Sequence, residues 1–294
     1  MAPPLLAEMK IGGSMYTRVV LGIDAAWTPI QPSGVAVAAR NSRGWRLIAA
    51  ESSYQRFLAL ADSRLQREQR PSGSLADAHA LLAAASVLCK EHAVDLVAID
   101  MPLAHEAITG RRFCDNEVSR IFGARKCGTH SPTPARPGPI SDELRKGFDL
   151  AGYPLLTRGL SSRGLIEVYP HPALVELTGA SERLPYKTPK TRSYWPSLTP
   201  TERRARLYQQ WNEIINLLEG EIANVSAVLP IPRITATKAE AKACEDMLDA
   251  IICAWVAVCA LEGRARPLGD ENSAIWIPYP RVASAPKTVS AISN

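Results

Sequence analysis

No stretch of this chain is apolar for long enough to cross a membrane. The most apolar run, Met247 to Leu261, holds 15 residues and carries Asp249. A spanning helix needs roughly 20 apolar residues, so the run reads as a buried core helix. The opening MAPPLLAEMKIGGSMYTR lacks a basic start followed by an apolar core, so it is not read as a secretory signal. The six cysteines (Cys89, Cys114, Cys127, Cys244, Cys253 and Cys259) form no C-x-x-C pair, and two of them lie inside the apolar helical run, where cysteine acts as a small hydrophobe. Together these absences place the chain in the cytoplasm with its thiols reduced. The G-x-x-x-x-G-K-[ST], G-x-S-x-G and H-E-x-x-H patterns are absent, as is any internal repeat, so a P-loop, a nucleophile elbow and a zinc-protease helix are not expected. Strong charge is lacking too. A net charge of +5 permits a polyanionic partner without demanding one.

What is present suits a globular protein. The 294 residues are 46% hydrophobic and 21% charged, enough for a sizeable core. Residues 1–16 read as a flexible leader, with Met15 an alternative start, and 281–294 as a flexible tail; the folded domain is expected over 17–280. It opens with Arg18 to Asp24, apolar up to its final carboxylate. Gly34 to Arg40 and Gly44 to Ala50 follow after short connections, which predicts an antiparallel meander. A helix is expected over 75–90 with Ser74 as its N-cap, then a buried strand from Val94 to Asp100. Strand, crossover helix and strand imply parallel pairing. Residues 103–163 form an insertion or lid over one edge of the sheet. Leu165 to Tyr169 is one more strand, 202–220 an amphipathic helix, and 238–262 a last long helix with Thr237 and Glu240 as its capping box. Ala274 to Ile277 is expected as a closing edge strand.

Asp24 and Asp100 are expected to carry the chemistry as a pair, whereas either alone would read as a cap of the following loop. Each closes an apolar strand, and neighbouring strands lie about 4.8 Å apart, within bridging distance of one cation. Ligand crevices of open parallel sheets lie at the carboxyl ends of their strands. Two carboxylates packed there repel unless a proton or cation intervenes. Asp246 and Asp249 stand at i, i+3 in the last helix and share a face, which suits a cation, although taken alone the pair reads better as a solvated first turn. Glu167 interrupts an apolar strand, as a site residue or as an exposed edge position. His171 beside it is expected as a hydrogen-bonded structural residue more than as a proton shuttle.

Six short runs occur in a telling order: GIDAAW from Gly22, AIDMP from Ala98, RFCD from Arg112 with Arg120 beyond it, EVYP from Glu167, Tyr186 with Lys187, and EDMLDA from Glu245. Together, over about residues 18–280, they resemble the "domain of unknown function 429" family of predicted nucleases. The late D-x-x-D is also similar to that of bacterial Holliday-junction resolvases. The resemblance implies an α/β, ribonuclease-H-like fold, a mixed sheet of meander plus parallel strands flanked by helices. It further implies Asp24, Asp100 and Asp246 or Asp249 as metal ligands.

The expected activity is two-metal phosphodiester hydrolysis on Mg²⁺ or Mn²⁺, hard cations that match an all-carboxylate set. Glu167 joins the catalytic set. Nucleic acid, DNA or RNA, is the expected partner. Residues 183–206 carry seven Lys/Arg (183, 187, 190, 192, 203, 204 and 206) against Glu202 alone, with Tyr186, Tyr194 and Trp195 interleaved, as in grooves that pair phosphates with stacked bases. Lys187, Arg192 and Tyr186 are therefore expected substrate contacts. Arg112 and Arg120 either clamp phosphate or pair with Asp115 and Glu117. Three rivals stay open. An actin- or sugar-kinase-like phosphotransferase shares the Gly-Ile-Asp opening, although Ala25, Ala26 and Trp27 replace the small flexible residues its phosphate loop needs. A zinc-held insertion would use His105, Cys114, Cys127 and His130. The third is a non-catalytic nucleic-acid-binding module.

Overall fold

A computed structural model describes residues 16–160 and 163–280. All of the expected leader but Tyr16, and the whole expected tail, lie outside those residues. The chain opens with β1 (Arg18–Asp24), β2 (Gly34–Asn41) and β3 (Gly44–Glu51), then α1 (Tyr54–Ala61), α2 (Ala78–Leu88) and β4 (Leu96–Ile99). Next come α3 (Phe113–Phe122), α4 (Pro139–Leu150), β5 (Gly164–Val168) and α5 (Pro170–Thr178). A 3-10 turn at Thr188–Lys190 leads to α6 (Thr191–Tyr194), α7 (Pro200–Glu219), α8 (Val225–Val228) and α9 (Lys238–Leu261). The described chain ends with β6 (Ala265–Gly269) and β7 (Ala274–Pro278).

The seven strands form one mixed sheet in the order β3-β2-β1-β4-β5-β7-β6. β1, β2 and β3 pair antiparallel, as their tight connections require. β4, β5 and β7 continue the sheet in parallel from β1, and β6 returns antiparallel at the edge. The fold is the ribonuclease-H-like mixed sheet that the sequence predicts. Two local expectations change. The 274–278 strand is not the edge, because β6 lies outside it; Arg266 and Pro267 hide β6 from an apolar-run reading, and proline suits an edge strand. α2 starts at Ala78 under Asp77, whose Oδ1 accepts the Ala80 N–H at 3.0 Å, so Ser74 is not the cap and Leu75 stays exposed.

Both sheet faces are covered, which is why the strands read as continuous apolar runs. Val20, Ala36, Ala38, Leu96, Ala98, Ile166 and Val168 pack beneath α5, α7 and α9. Their neighbours Val19, Leu21, Ile23, Val35, Val37, Val97, Ile99 and Leu165 face α1, α2 and α4. α3, from the 103–163 region, packs Cys114, Val118 and Phe122 on Leu268, Ile275 and Ile277 of β6 and β7.

The contact that positions the site is α9 lying on β1 and β2. It rests there because two glycines have no side chain to hold it off. A Cβ on Gly22 would stand 2.2 Å from the Ala250 carbonyl oxygen, and one on Gly34 would stand 2.0 Å from that of Asp246. Gly34 pairs across the ladder with Asp24. The close approach therefore sets the acidic turn of α9 directly against the end of β1.

Candidate functional site

Strand parity carries Asp24 and Asp100 toward α9. Asp24 follows Val20 and Gly22, and Asp100 follows Leu96 and Ala98, the residues of β1 and β4 that face that helix. Ile23 pairs with Ile99 in parallel register, so the two aspartates leave adjacent strands at the same level. The Asp100 N–H donates to the Ile23 carbonyl at 2.9 Å. From the helix side come Glu245, Asp246 and Asp249, all buried, so the solvated-turn reading of the D-x-x-D does not hold.

The crowding has an electrostatic signature. Burial, then the charges of Asp249 and Asp246, push the Asp24 carboxyl well above its ordinary range. Burial raises Asp100 to about 7; Lys187 pulls it down and Asp249 pushes it up. Asp246 is raised to about 6, chiefly by burial, against the pull of Lys242. Asp24, Asp100, Asp246 and Asp249 thus converge on one acidic centre.

Two lysines answer part of this charge. Lys187 Nζ bonds Asp249 Oδ2 and lies 3.7 Å from Glu245 Oε1. Lys242 Nζ bonds Asp246 Oδ1 and lies 3.4 Å from Glu245 Oε1. The Tyr186 hydroxyl donates to Asp249 Oδ1 at 2.7 Å, and the Thr188 N–H donates to Glu245 Oε2 at 2.5 Å. Five carboxyl groups face only two ammonium groups, so the lysines cannot pair with all of them. Asp24 and Asp100 make no side-chain hydrogen bond or ion pair among the described residues.

That pair fits a hard divalent cation: two adjacent, partnerless oxygen donors on one face, with the charge of Asp100 among those that raise Asp24. Asp246 and Asp249 fit it less well, since an ammonium group already meets each. As the side chains stand, no three Asp, Glu, His or Cys among the described residues are arranged around a single ion.

Several expected site residues serve other ends. Glu167 has the opposite parity from Asp100, pairing with Ile99 and sharing the face of Leu165. Its carboxylate accepts the Leu103 N–H at 2.7 Å and a two-pronged bond from Arg112 at 2.6 and 2.8 Å. Glu167 is therefore buried and paired with Arg112, not an exposed edge residue, and its charge still acts on Asp100. Arg112 spends its remaining donors on Asp115 Oδ1 and Oδ2 and on the Leu103 carbonyl, so none is left for a phosphate. Arg120 pairs with Glu117 on the exposed side of α3. Tyr186 is fully buried and cannot serve as a stacking platform. Arg192 is exposed beyond the 3-10 turn, while Arg203 and Arg204 are bound to backbone carbonyls. The zinc quartet does not assemble: Cys114 and Cys127 face an apolar cluster while His105 and His130 are exposed. His171 is buried between Tyr169 and Tyr186 with its Nδ1 unpartnered, so the hydrogen bond expected of it is not made at that nitrogen.

Lys242 and Thr188 were not expected at the site. Lys242 had a signal, since it precedes Asp246 by four residues and Glu245 by three, neighbouring positions on a helix. Thr188 had none, because 57 residues separate it from Glu245.

With the site in view, comparison with known proteins adds one result. No curated protein and no solved structure matches the chain significantly. The model of the family described as "Protein of unknown function (DUF429)" matches residues 22–274, a span that begins at the glycine under α9 and takes in every residue of the acidic centre. The chain belongs to the DUF429 family.

Proposed function

We propose that this protein is a metal-dependent nuclease of the ribonuclease-H-like superfamily, acting in the cytoplasm on nucleic acid. The observation that carries the reading is the partnerless pair Asp24 and Asp100, closing parallel neighbours at the carboxyl edge of the sheet and facing the acids of α9. Asp24 and Asp100 would hold Mg²⁺ or Mn²⁺, with Asp246 completing the carboxylate wall. Such an ion, when bound, lowers the pKa of water and offsets charge on a phosphate. The chain's own residues supply the setting. Burial and the neighbouring carboxylates make the ionised form of Asp24 costly unless a proton or a cation intervenes, and the ring of Tyr186 is buried beside Asp249. Lys190 and Arg192, both exposed just beyond Lys187, would meet the flanking phosphates. In the net reaction water forms a new P–O bond, an ester P–O bond breaks, and the water's proton ends on the leaving oxygen. The six cysteines, all free and buried, suit a reducing compartment.

The test is cleavage of a panel of single-stranded, double-stranded and branched DNA and RNA by wild type and by Asp24→Asn, with Mn²⁺ and with chelator. The variant keeps the shape of the side chain and loses its charge, so a rate loss on the order of 100-fold or more is expected. Equal cleavage by both proteins, or cleavage that survives the chelator, overturns the reading. ATP turnover without cleavage would favour the phosphotransferase.

A further inference from the structure

We infer that Lys187 supplies the second positive charge of this site, so that the site takes one divalent cation, at Asp24 and Asp100, where a pair would be expected. The inference rests on the metal-dependent reading above and sharpens it to one ion plus one fixed ammonium group.

The placement of Lys187 is not an accident of a long side chain. Both neighbours pin its backbone. The Tyr186 carbonyl accepts the Trp211 indole N–H at 2.7 Å, and the Tyr186 hydroxyl is held by Asp249. On the other side the Thr188 N–H and hydroxyl are both held by Glu245. Between them the ammonium group bonds Asp249, lies 4.8 Å from the Tyr186 ring centroid and is mostly shielded from water. Its charge acts on Asp24 and Asp100 alike, which puts it inside the acidic centre and not at its rim.

This leaves the late-helix acids little to offer a second ion. Both Asp249 oxygens are occupied, one by Tyr186 and one by Lys187. Lys242 holds Asp246, and Glu245 is tied to Thr188. A second dication at Asp249 would have to displace the ammonium group or sit against it, like charge on like. An ammonium has three N–H donors. Asp249 and Glu245 engage at most two here, so one remains to meet a phosphate oxygen, the charge-stabilising task a second metal would otherwise perform.

The test counts ions. Mn²⁺ binding to the full-length protein is measured by titration calorimetry for wild type, Lys187→Arg, Lys187→Met and Asp100→Asn, beside thermal melts with and without Mn²⁺. Wild type and Lys187→Arg should bind one ion per chain, and Asp100→Asn should bind it at least tenfold more weakly. Lys187→Met frees Asp249 and should bind two, with a larger Mn²⁺-dependent rise in Tm than wild type. Two ions of similar affinity on wild type, or a single ion on a folded Lys187→Met, would overturn the inference. Should Lys187→Met not fold without metal, refolding it in Mn²⁺ and counting bound ions decides the same point. No ion on wild type overturns both this inference and the nuclease reading. One ion on wild type and two on Lys187→Met, with no cleavage of any nucleic acid, overturns the nuclease reading alone.

Discussion

Arg112 and His171 show how differently a buried base can be kept. Arg112 directs all five of its N–H groups at Asp115, Glu167 and the Leu103 carbonyl, which joins the start of α3 to β5 with no donor wasted. His171, the second residue of α5, sits edge-on to Tyr169 and Tyr186 at 5.4 and 5.3 Å. Burial, followed by the positive charges of Lys187, Arg183, Lys190 and His130, drives its pKa well below the ordinary 6.5. Folded His171 is therefore neutral, while the unfolded chain takes up a proton below about pH 6.5. A depressed folded pKa on a base means that stability is lost as pH falls through the unfolded value. Its slope is at most about 1.4 kcal/mol per pH unit. Urea unfolding at pH 7 and pH 5 should show a wild-type loss that exceeds that of His171→Phe by up to about 2 kcal/mol. Equal losses in the two proteins would mean that His171 charges freely in the fold.

At the scale of elements, the decisive contact is α9 on β1 and β2. Helix-on-sheet packing usually runs through side chains, but here the helix backbone meets Gly22 and Gly34 directly. The Asp246 carbonyl stands where a Gly34 Cβ would be, and Asp24 is the cross-strand partner of that glycine. The same approach thus seats the helix and sets the spacing of the acids. Gly34→Ala should cost on the order of 3 kcal/mol, since only backbone is there to yield. It should also weaken Mn²⁺ binding, because lifting α9 widens the acidic centre. Denaturant titration and calorimetry check both. A full loss of stability with metal affinity unchanged would separate the packing from the site. The glycines were visible in the sequence, Gly22 within the GIDAAW run, but their purpose was not. A strand glycine announces close approach without saying what approaches.

For the whole molecule, cooperative burial leaves a chemical trace in the thiols. All six cysteines are buried, distributed among the two sheet faces and the α3 cluster. Burial raises the thiols of Cys89, Cys244 and Cys259 to about 12 and that of Cys127 to about 11. None should react with a thiol reagent in the native state on the scale of minutes, and all six should react at once in denaturant. Because they sample every layer, their slow native labelling should follow a single rate, that of global opening. A fast-reacting minority would mark one layer that opens by itself.

The sequence alone determined what short range can settle. Apolar runs placed β1 to β5, with boundaries close to those observed, and helical period with a Thr237–Glu240 capping box placed α9. Strand ends placed Asp24 and Asp100. The parity of Glu167 was legible in the chain as well, since Ile166 and Val168 face α9 and put Glu167 on the other face of β5. The tertiary structure alone decided which cation meets which anion. Lys187 and Asp249 lie 62 residues apart, and Arg112 and Glu167 lie 55 apart. Local propensity cannot see such pairs, because an ion pair depends on where two separately folded elements come to rest and on how much water their packing removes.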